Sequence, residues 1–112
     1  MSCLFCKMVS GEIPVTRLYD DADCMAFADI HPQAPVHVLV IPKEHLQSTA
    51  HAEASHGPLL GKLMAAAAVV AKGQGLSGGY RLVVNTGDDG GQTVGHLHVH
   101  VLGGRHMGWP PG

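Results

Sequence analysis

The chain carries three histidines at every second position, His96-Leu97-His98-Val99-His100-Val101-Leu102, with apolar residues between them. Alternation of this kind is the signature of a β-strand, whose successive side chains point to opposite faces of a sheet. The three imidazoles therefore line one face, while Leu97, Val99 and Val101 pack on the other. Same-face neighbours on a strand are roughly 6.6 Å apart along the backbone, and the outer pair about twice that. Adjacent histidines could share an ion, but all three could reach one only through a sharp bend. The spacing thus implies divided labour, with one ring as nucleophile and the others placing charge or protons around it. An imidazole suits attack on phosphorus, because it is partly neutral near neutral pH and its second nitrogen can be fixed by a hydrogen bond. A purely structural role would require a buried partner for each ring.

The rest of the chain supplies a sheet for that strand. Leu4 to Ser10 reads as a short helix closed by Gly11, with Pro14 blocking continuation. Thr16 to Tyr19 and Cys24 to Ile30 read as strands joined by the acidic turn Asp20-Asp21-Ala22-Asp23. After the loop containing Pro32 and Pro35, His37 to Ile41 is a buried strand ended by Pro42. Leu59, Leu60, Leu63, Met64, Ala67, Val70 and Ala71 recur at helical spacing until Gly73 and Gly75 stop the pattern, which makes this the main helix. Tyr80 to Asn85 is the next strand, Asp88 to Gly91 a turn, and the histidine strand follows. The expected fold class is α+β, a five-stranded antiparallel sheet with one main helix and a short N-terminal helix. The tail from Gly103 to Gly112 is too rich in Gly and Pro for regular structure, yet its Trp109 needs cover.

With 112 residues and no linker, repeat or low-complexity tract, residues 1–112 are expected to form a single domain. The net charge of -2 and the lack of any Lys/Arg cluster argue against a nucleic-acid duplex or membrane surface as partner. The start, Met1-Ser2-Cys3-Leu4-Phe5-Cys6-Lys7, does not read as a signal peptide, and the apolar run Leu63 to Ala71 is too short to span a bilayer. A cytoplasmic protein is expected. There, Cys3-x-x-Cys6 reads as a metal half-site or as free thiols rather than a disulfide, and Cys24 as a small core residue.

The triad run preceded by Gly91-Gln92-Thr93 resembles the histidine-triad (HIT) superfamily of nucleotide hydrolases and transferases. The tail Gly103-Gly104-Arg105 and Trp109-Pro110-Pro111-Gly112 resembles its Hint branch, the purine nucleoside phosphoramidases. Gly11-Glu12-Ile13-Pro14, Asp29-Ile30, Pro32-Gln33-Ala34-Pro35, His37, Ile41-Pro42-Lys43, Gly79-Tyr80-Arg81 and Asn85 extend the match from Leu4 to Gly112. The resemblance implies a HIT-like fold with His98 as the nucleophile. It attacks the α-phosphorus of a nucleoside 5'-phosphoramidate, expels an amine and leaves a nucleotidyl-histidine for water to hydrolyse. His37 and His100 are the implied proton path to the amine, with His96 completing the catalytic histidines. The uridylyltransferase branch has Gln where this chain has His100, so hydrolysis is implied over transfer.

The resemblance also implies a nucleotide site made of Asp29 toward the ribose, Asn85, Gly91, Gln92, Thr93, His98 and His100. An apolar slot for the purine would come from Leu4, Phe5, Met8, Ile13, Phe27 and Ile30. Nothing in the turn is cationic, so backbone N–H groups around Gly91, Gln92 and Thr93 are expected to cradle the phosphate. Catalysis would need no cofactor. By resemblance to some bacterial members, Cys3, Cys6, His45 and His96 would hold structural zinc. The branch also implies a homodimer in which Trp109 finds cover. The expected activity is hydrolysis of purine nucleoside 5'-phosphoramidates, including aminoacyl-adenylates. The alternatives are a dinucleoside polyphosphate hydrolase, or a nucleotide-binding protein with incidental catalysis.

Overall fold

A computed structural model describes residues 3–112; Met1 and Ser2 lie outside the described residues. The chain runs α1 (Leu4–Ser10), β1 (Tyr19–Asp20), β2 (Cys24–Ala28), β3 (Val36–Pro42), two short 3₁₀ turns, α2 (Gly57–Gly73), β4 (Tyr80–Val83) and β5 (Val99–Gly103). All neighbouring strands are antiparallel, in the order β1-β2-β3-β5-β4. The expected α+β fold class is the one observed.

Both faces of the sheet are covered, which is why β2 and β3 read as continuous apolar runs. On one face Ala26, Val38, Val40, Leu97, Val99 and Val101 pack against Leu63, Ala66, Ala67, Val70 and Ala71 of α2. On the other, Met25, Phe27, Leu39 and Ile41 pack with Phe5 of α1. The histidines share this second face, since Phe5 lies edge-on against both His96 and His98. The strand alternation therefore separates an apolar core under α2 from the chemistry under α1. The run Ala54–Gly73 is apolar and long enough to cross a membrane by composition alone, but α2 packs its Leu63, Ala67 and Ala71 stripe onto this sheet. Cys24 is fully buried in the same core, and its thiol is pushed up to about 11, chiefly by burial.

Helix α1 has the expected bounds: the Cys3 thiol caps its start by accepting from the Cys6 N–H, and Gly11, at φ 84°, closes it. Elsewhere the local pattern overreached. The expected strand Thr16 to Tyr19 shrinks to Tyr19–Asp20, because the Arg17 guanidinium bonds the Met8 and Val9 carbonyls and draws this segment to the end of α1. Strand β2 stops at Ala28 rather than Ile30, where Asp29 Oδ1 accepts the His31 N–H in a tight turn. Strand β4 ends at Val83, not Asn85. On α2, Met64 faces solvent and Ala66 takes the core position instead.

The histidine strand is regular only from Val99. Pro42 has no N–H and ends β3, and its carbonyl instead accepts from His96 Nε2 at 2.9 Å. The Leu97 N–H leaves the ladder as well and bonds the Leu46 carbonyl at 2.7 Å. Beyond β5, Gly104 takes φ 91°, and a Cβ there would lie 2.8 Å from Pro35 Cβ. That close approach lets Arg105 donate to the Gln33 carbonyl and fasten the loop that leads into His37.

Candidate active site

Cross-strand register assembles the site. Phe27, Leu39, His100 and Val83 stand opposite one another across β2, β3, β5 and β4. One step along, the Asp29 N–H bonds the His37 carbonyl at 3.0 Å.

The hydrogen bonds fix which nitrogen of each ring carries a proton. His98 Nδ1 lies 2.7 Å from the His96 carbonyl. A carbonyl only accepts, so Nδ1–H donates and the lone pair of neutral His98 resides on Nε2. A second chain begins at the Gln33 N–H, which donates to His37 Nδ1 at 3.0 Å. His37 Nε2–H then donates to His100 Nδ1 at 2.9 Å. The remaining hydrogen of neutral His100 is therefore on Nε2, which is buried and has no partner among the described residues. Asp29 Oδ2, 3.4 Å from His37 Nε2, supports positive charge on this pair.

Burial comes first among the causes that push the His100 imidazole down to about 4, followed by the neighbouring His98 and His37 rings, against an upward pull from Asp29. Burial likewise lowers His37, with Asp29 opposing. His100 is thus a neutral hydrogen-bond donor. A phosphate set against Nε2 would favour its charged form.

The two chains converge on a cleft of ≈ 250 Å³ walled by Leu4, Phe5, Met8, Phe27, Leu39 and Val94, with Asp29, Thr93, His98 and His100 as polar groups. Of the expected nucleotide residues, Phe5, Phe27, Asp29, Ile30, Thr93, His98 and His100 meet here. Ile30 contributes only a rim, being 86% exposed. Ile13 and Asn85 do not line the cleft, and neither do Gly91 and Gln92. The Gly91 N–H bonds the Asp88 carbonyl and the Gln92 N–H the Gly87 carbonyl, so the expected cradle loses both to its own turn. Gln92 instead braces that turn: Oε1 accepts from the Gly87 N–H, and Nε2 donates to the Gln47 and Val94 carbonyls. Of the three, Thr93 alone reaches the cleft.

Sequence reasoning missed Val15, Leu39, Val94 and His31 as lining residues. Leu39 was legible only as one member of a continuous apolar strand, with no polar alternation to show its face. Gln33 was quoted only as part of a loop motif, and its backbone N–H, which carries no side-chain signal, orients His37.

His96, counted with the catalytic histidines, turns away from the cleft. With Cys3, Cys6 and His45 it forms a set whose ligand atoms all lie within 4.8 Å of one another. His96 Nδ1 is 3.4 Å from Cys3 Sγ, 3.6 Å from Cys6 Sγ and 3.2 Å from His45 Nδ1, and Cys6 Sγ is 3.3 Å from His45 Nδ1. Because His96 Nε2–H is committed to the Pro42 carbonyl, Nδ1 offers a single lone pair to three neighbours. A tetrahedral zinc with ordinary bond lengths requires N···N edges of about 3.3 Å and N···S edges of about 3.6 Å. The donor set and its outer-shell carbonyl fit that ion. Asp29, His37 and His100 also cluster. There the hydrogen bonds from Gln33 through His37 to His100 already account for the short distances.

The HIT domain model matches residues 10–107. The chain belongs to the HIT domain family. Among solved HIT proteins, a HIT family hydrolase from Legionella pneumophila superposes with a TM-score of 0.96 at 47% identity, over 99% of this chain and 100% of that one. A histidine triad nucleotide-binding protein from Candida albicans gives a TM-score of 0.82 at 32% identity, over 97% and 83%. The maize 14 kDa zinc-binding protein is 52% identical over 111 residues, 97% of this chain and 87% of its own length.

Titration of His100 makes the fold acid-sensitive in a definite window. Its pKa falls from 6.5 to about 4 on folding, so between these values the unfolded chain binds more protons and stability rises with pH. Urea unfolding of the HIT domain from about pH 6.5 down to about pH 4 should show that loss, and His100→Gln should flatten it. Equal slopes in both proteins would contradict the assignment.

Proposed function

We propose that this HIT protein hydrolyses the P–N bond of purine nucleoside 5'-phosphoramidates through a nucleotidyl-histidine at His98. The observation that carries the reading is the pair of ring nitrogens at the cleft: a lone pair on His98 Nε2 beside an unpartnered N–H on His100 Nε2. The ring centroids are 4.9 Å apart, so both can address one phosphorus centre. The names of the Legionella hydrolase and the Candida nucleotide-binding protein support the reaction class and the ligand class.

In the first step His98 Nε2 forms a bond to the α-phosphorus as the P–N bond breaks. The departing nitrogen must take a proton, and the phosphate charge beside His100 raises that ring's affinity for one. His100 takes up one proton from solvent as the anionic substrate binds, gives the Nε2 proton to the departing nitrogen and returns to its neutral form, while His37 and Asp29 stabilise the charged ring from behind. Water then attacks the nucleotidyl-histidine, its oxygen bonding to phosphorus as the P–N bond to His98 Nε2 breaks and its proton passing to the now neutral His100, which returns His98 and releases the nucleoside monophosphate. In this reading Thr93 contacts the phosphoramidate, Asp29 the ribose, and Phe5 and Phe27 the purine; the support is that all four line the one cleft.

Release of AMP from an adenosine 5'-phosphoramidate with a fluorogenic amine tests this. His98→Ala should lower turnover by about 10³-fold or more. His100→Gln should cost about 10²-fold for an amine, and much less for a phenolate of low basicity, which departs without a proton. An active His98→Ala protein would sink the mechanism.

We also assign zinc to Cys3, Cys6, His45 and His96. The support is the tetrahedral spacing of their donors, together with the name of the maize relative. Metal analysis of the purified protein should give one zinc per chain, abolished by Cys3→Ser; a metal-free wild type would refute the assignment.

Finally, we infer a homodimer. Strand β4 is an open edge of the sheet, and Tyr80, Val84 and Trp109 are exposed in the single chain, Trp109 by 83%. Light scattering should give twice the chain mass, whereas a monomer at micromolar concentration would contradict it.

A further inference from the structure

The segment that carries His98 is not held by the sheet. Strand β5 begins at Val99, and the ties of His96 to Leu97 run to the stretch between Pro42 and Leu46. The His96 ring donates from Nε2 to the Pro42 carbonyl, and the Leu97 N–H donates to the Leu46 carbonyl. His45, next to Leu46, meets His96 Nδ1 at 3.2 Å inside the thiol cluster. The His96 carbonyl then takes the His98 Nδ1–H at 2.7 Å, the bond that aims the nucleophile. Phe5, between the two cysteines, presses edge-on against His98 with ring centroids 5.4 Å apart.

We propose that Cys3, Cys6 and His45 are positioning residues for His98. Through His96 they clamp α1 and the 42–46 stretch against the nucleophile segment, and that clamp closes only when the cluster holds zinc. Without a cation, the single lone pair of His96 Nδ1 can accept from only one neighbour, a Cys3 or Cys6 S–H or a His45 Nδ1–H, so the other groups held at 3.2–3.6 Å have no bond to it and relax apart. Any such shift moves the His96 carbonyl and with it the His98 ring. A displacement of about 1 Å at a reacting group can cost about 10²-fold in rate. This inference rests on the reading of His98 as nucleophile, but it adds that the thiol cluster acts on catalysis.

The test uses full-length protein labelled with nitrogen-15 in its histidines, loaded with zinc, stripped by a chelator, and reloaded with Zn²⁺. The His98 Nδ1–H signal, assigned by its absence in His98→Gln, should be present with zinc, vanish on stripping and return on reloading, with far-UV circular dichroism retained. Turnover of the phosphoramidate should fall about tenfold or more while KM moves by less than about threefold. His45→Ala, an exposed position, should behave as the stripped protein does, and His45→Cys, which keeps a ligand, should recover the signal. Persistence of the signal and of turnover in stripped protein would overturn the proposal, as would loss of the whole fold on stripping. The spectroscopic arm needs no turnover. A signal that follows zinc in a protein without phosphoramidase activity would refute the reaction and leave the clamp standing.

Discussion

The hydrogen bond from His98 Nδ1–H to the carbonyl two residues earlier decides which nitrogen of that ring is available, and the geometry of the site follows from it. It forms in the stretch just before β5, where the chain has left the strand ladder. A second chain, from the Gln33 N–H through His37 to His100, orients the neighbouring ring in the opposite sense, with its hydrogen outward. One ring thus offers a lone pair and its neighbour a proton donor, although both are neutral imidazoles of the same residue type. Burial favours the neutral form of His100, and an anion set against its Nε2 would favour the charged form.

The sheet serves as a partition. Under α2 it buries mainly alanine, valine and leucine, and this apolar layer fixes the strand positions from below. Under α1 the same strands present His37, Leu39 and His100 to a thinner layer that is interrupted by the cleft. Helix α1, seven residues long, covers the histidines there together with Val15 and Val94. So short a helix has little stability of its own, and the cysteines at its start join it to His45 and His96.

Most of this was legible in the sequence wherever a periodicity or a motif carried it. The alternation around His98 gave the correct faces, and Gly11 gave the end of α1. The misses have a common cause, because they depended on where backbone hydrogen bonds go. Asp29 ends β2 by capping a turn, Arg17 pulls the expected first strand toward α1, and Pro42 releases the histidine segment from the ladder. Gly91 and Gln92 matched the motif, yet they spend their N–H groups inside the turn. Asn85 falls past the end of β4 and outside the cleft, which its match to the motif did not show. Strand rise implied a division of labour among the three histidines but not its form: it left His96 with the catalytic rings, whereas only His98 and His100 face the cleft and His96 joins the thiol cluster that the family resemblance implied.

The most direct test of the account is to find the bond it requires. Protein quenched in alkali during turnover of an adenosine 5'-phosphoramidate should yield, by peptide mass spectrometry, one adenylyl group on the peptide containing His98. Fragmentation should place that group on the His98 ring, with none on His96 or His100. A protein that turns over fully and never carries the group, or carries it on another residue, would contradict the account.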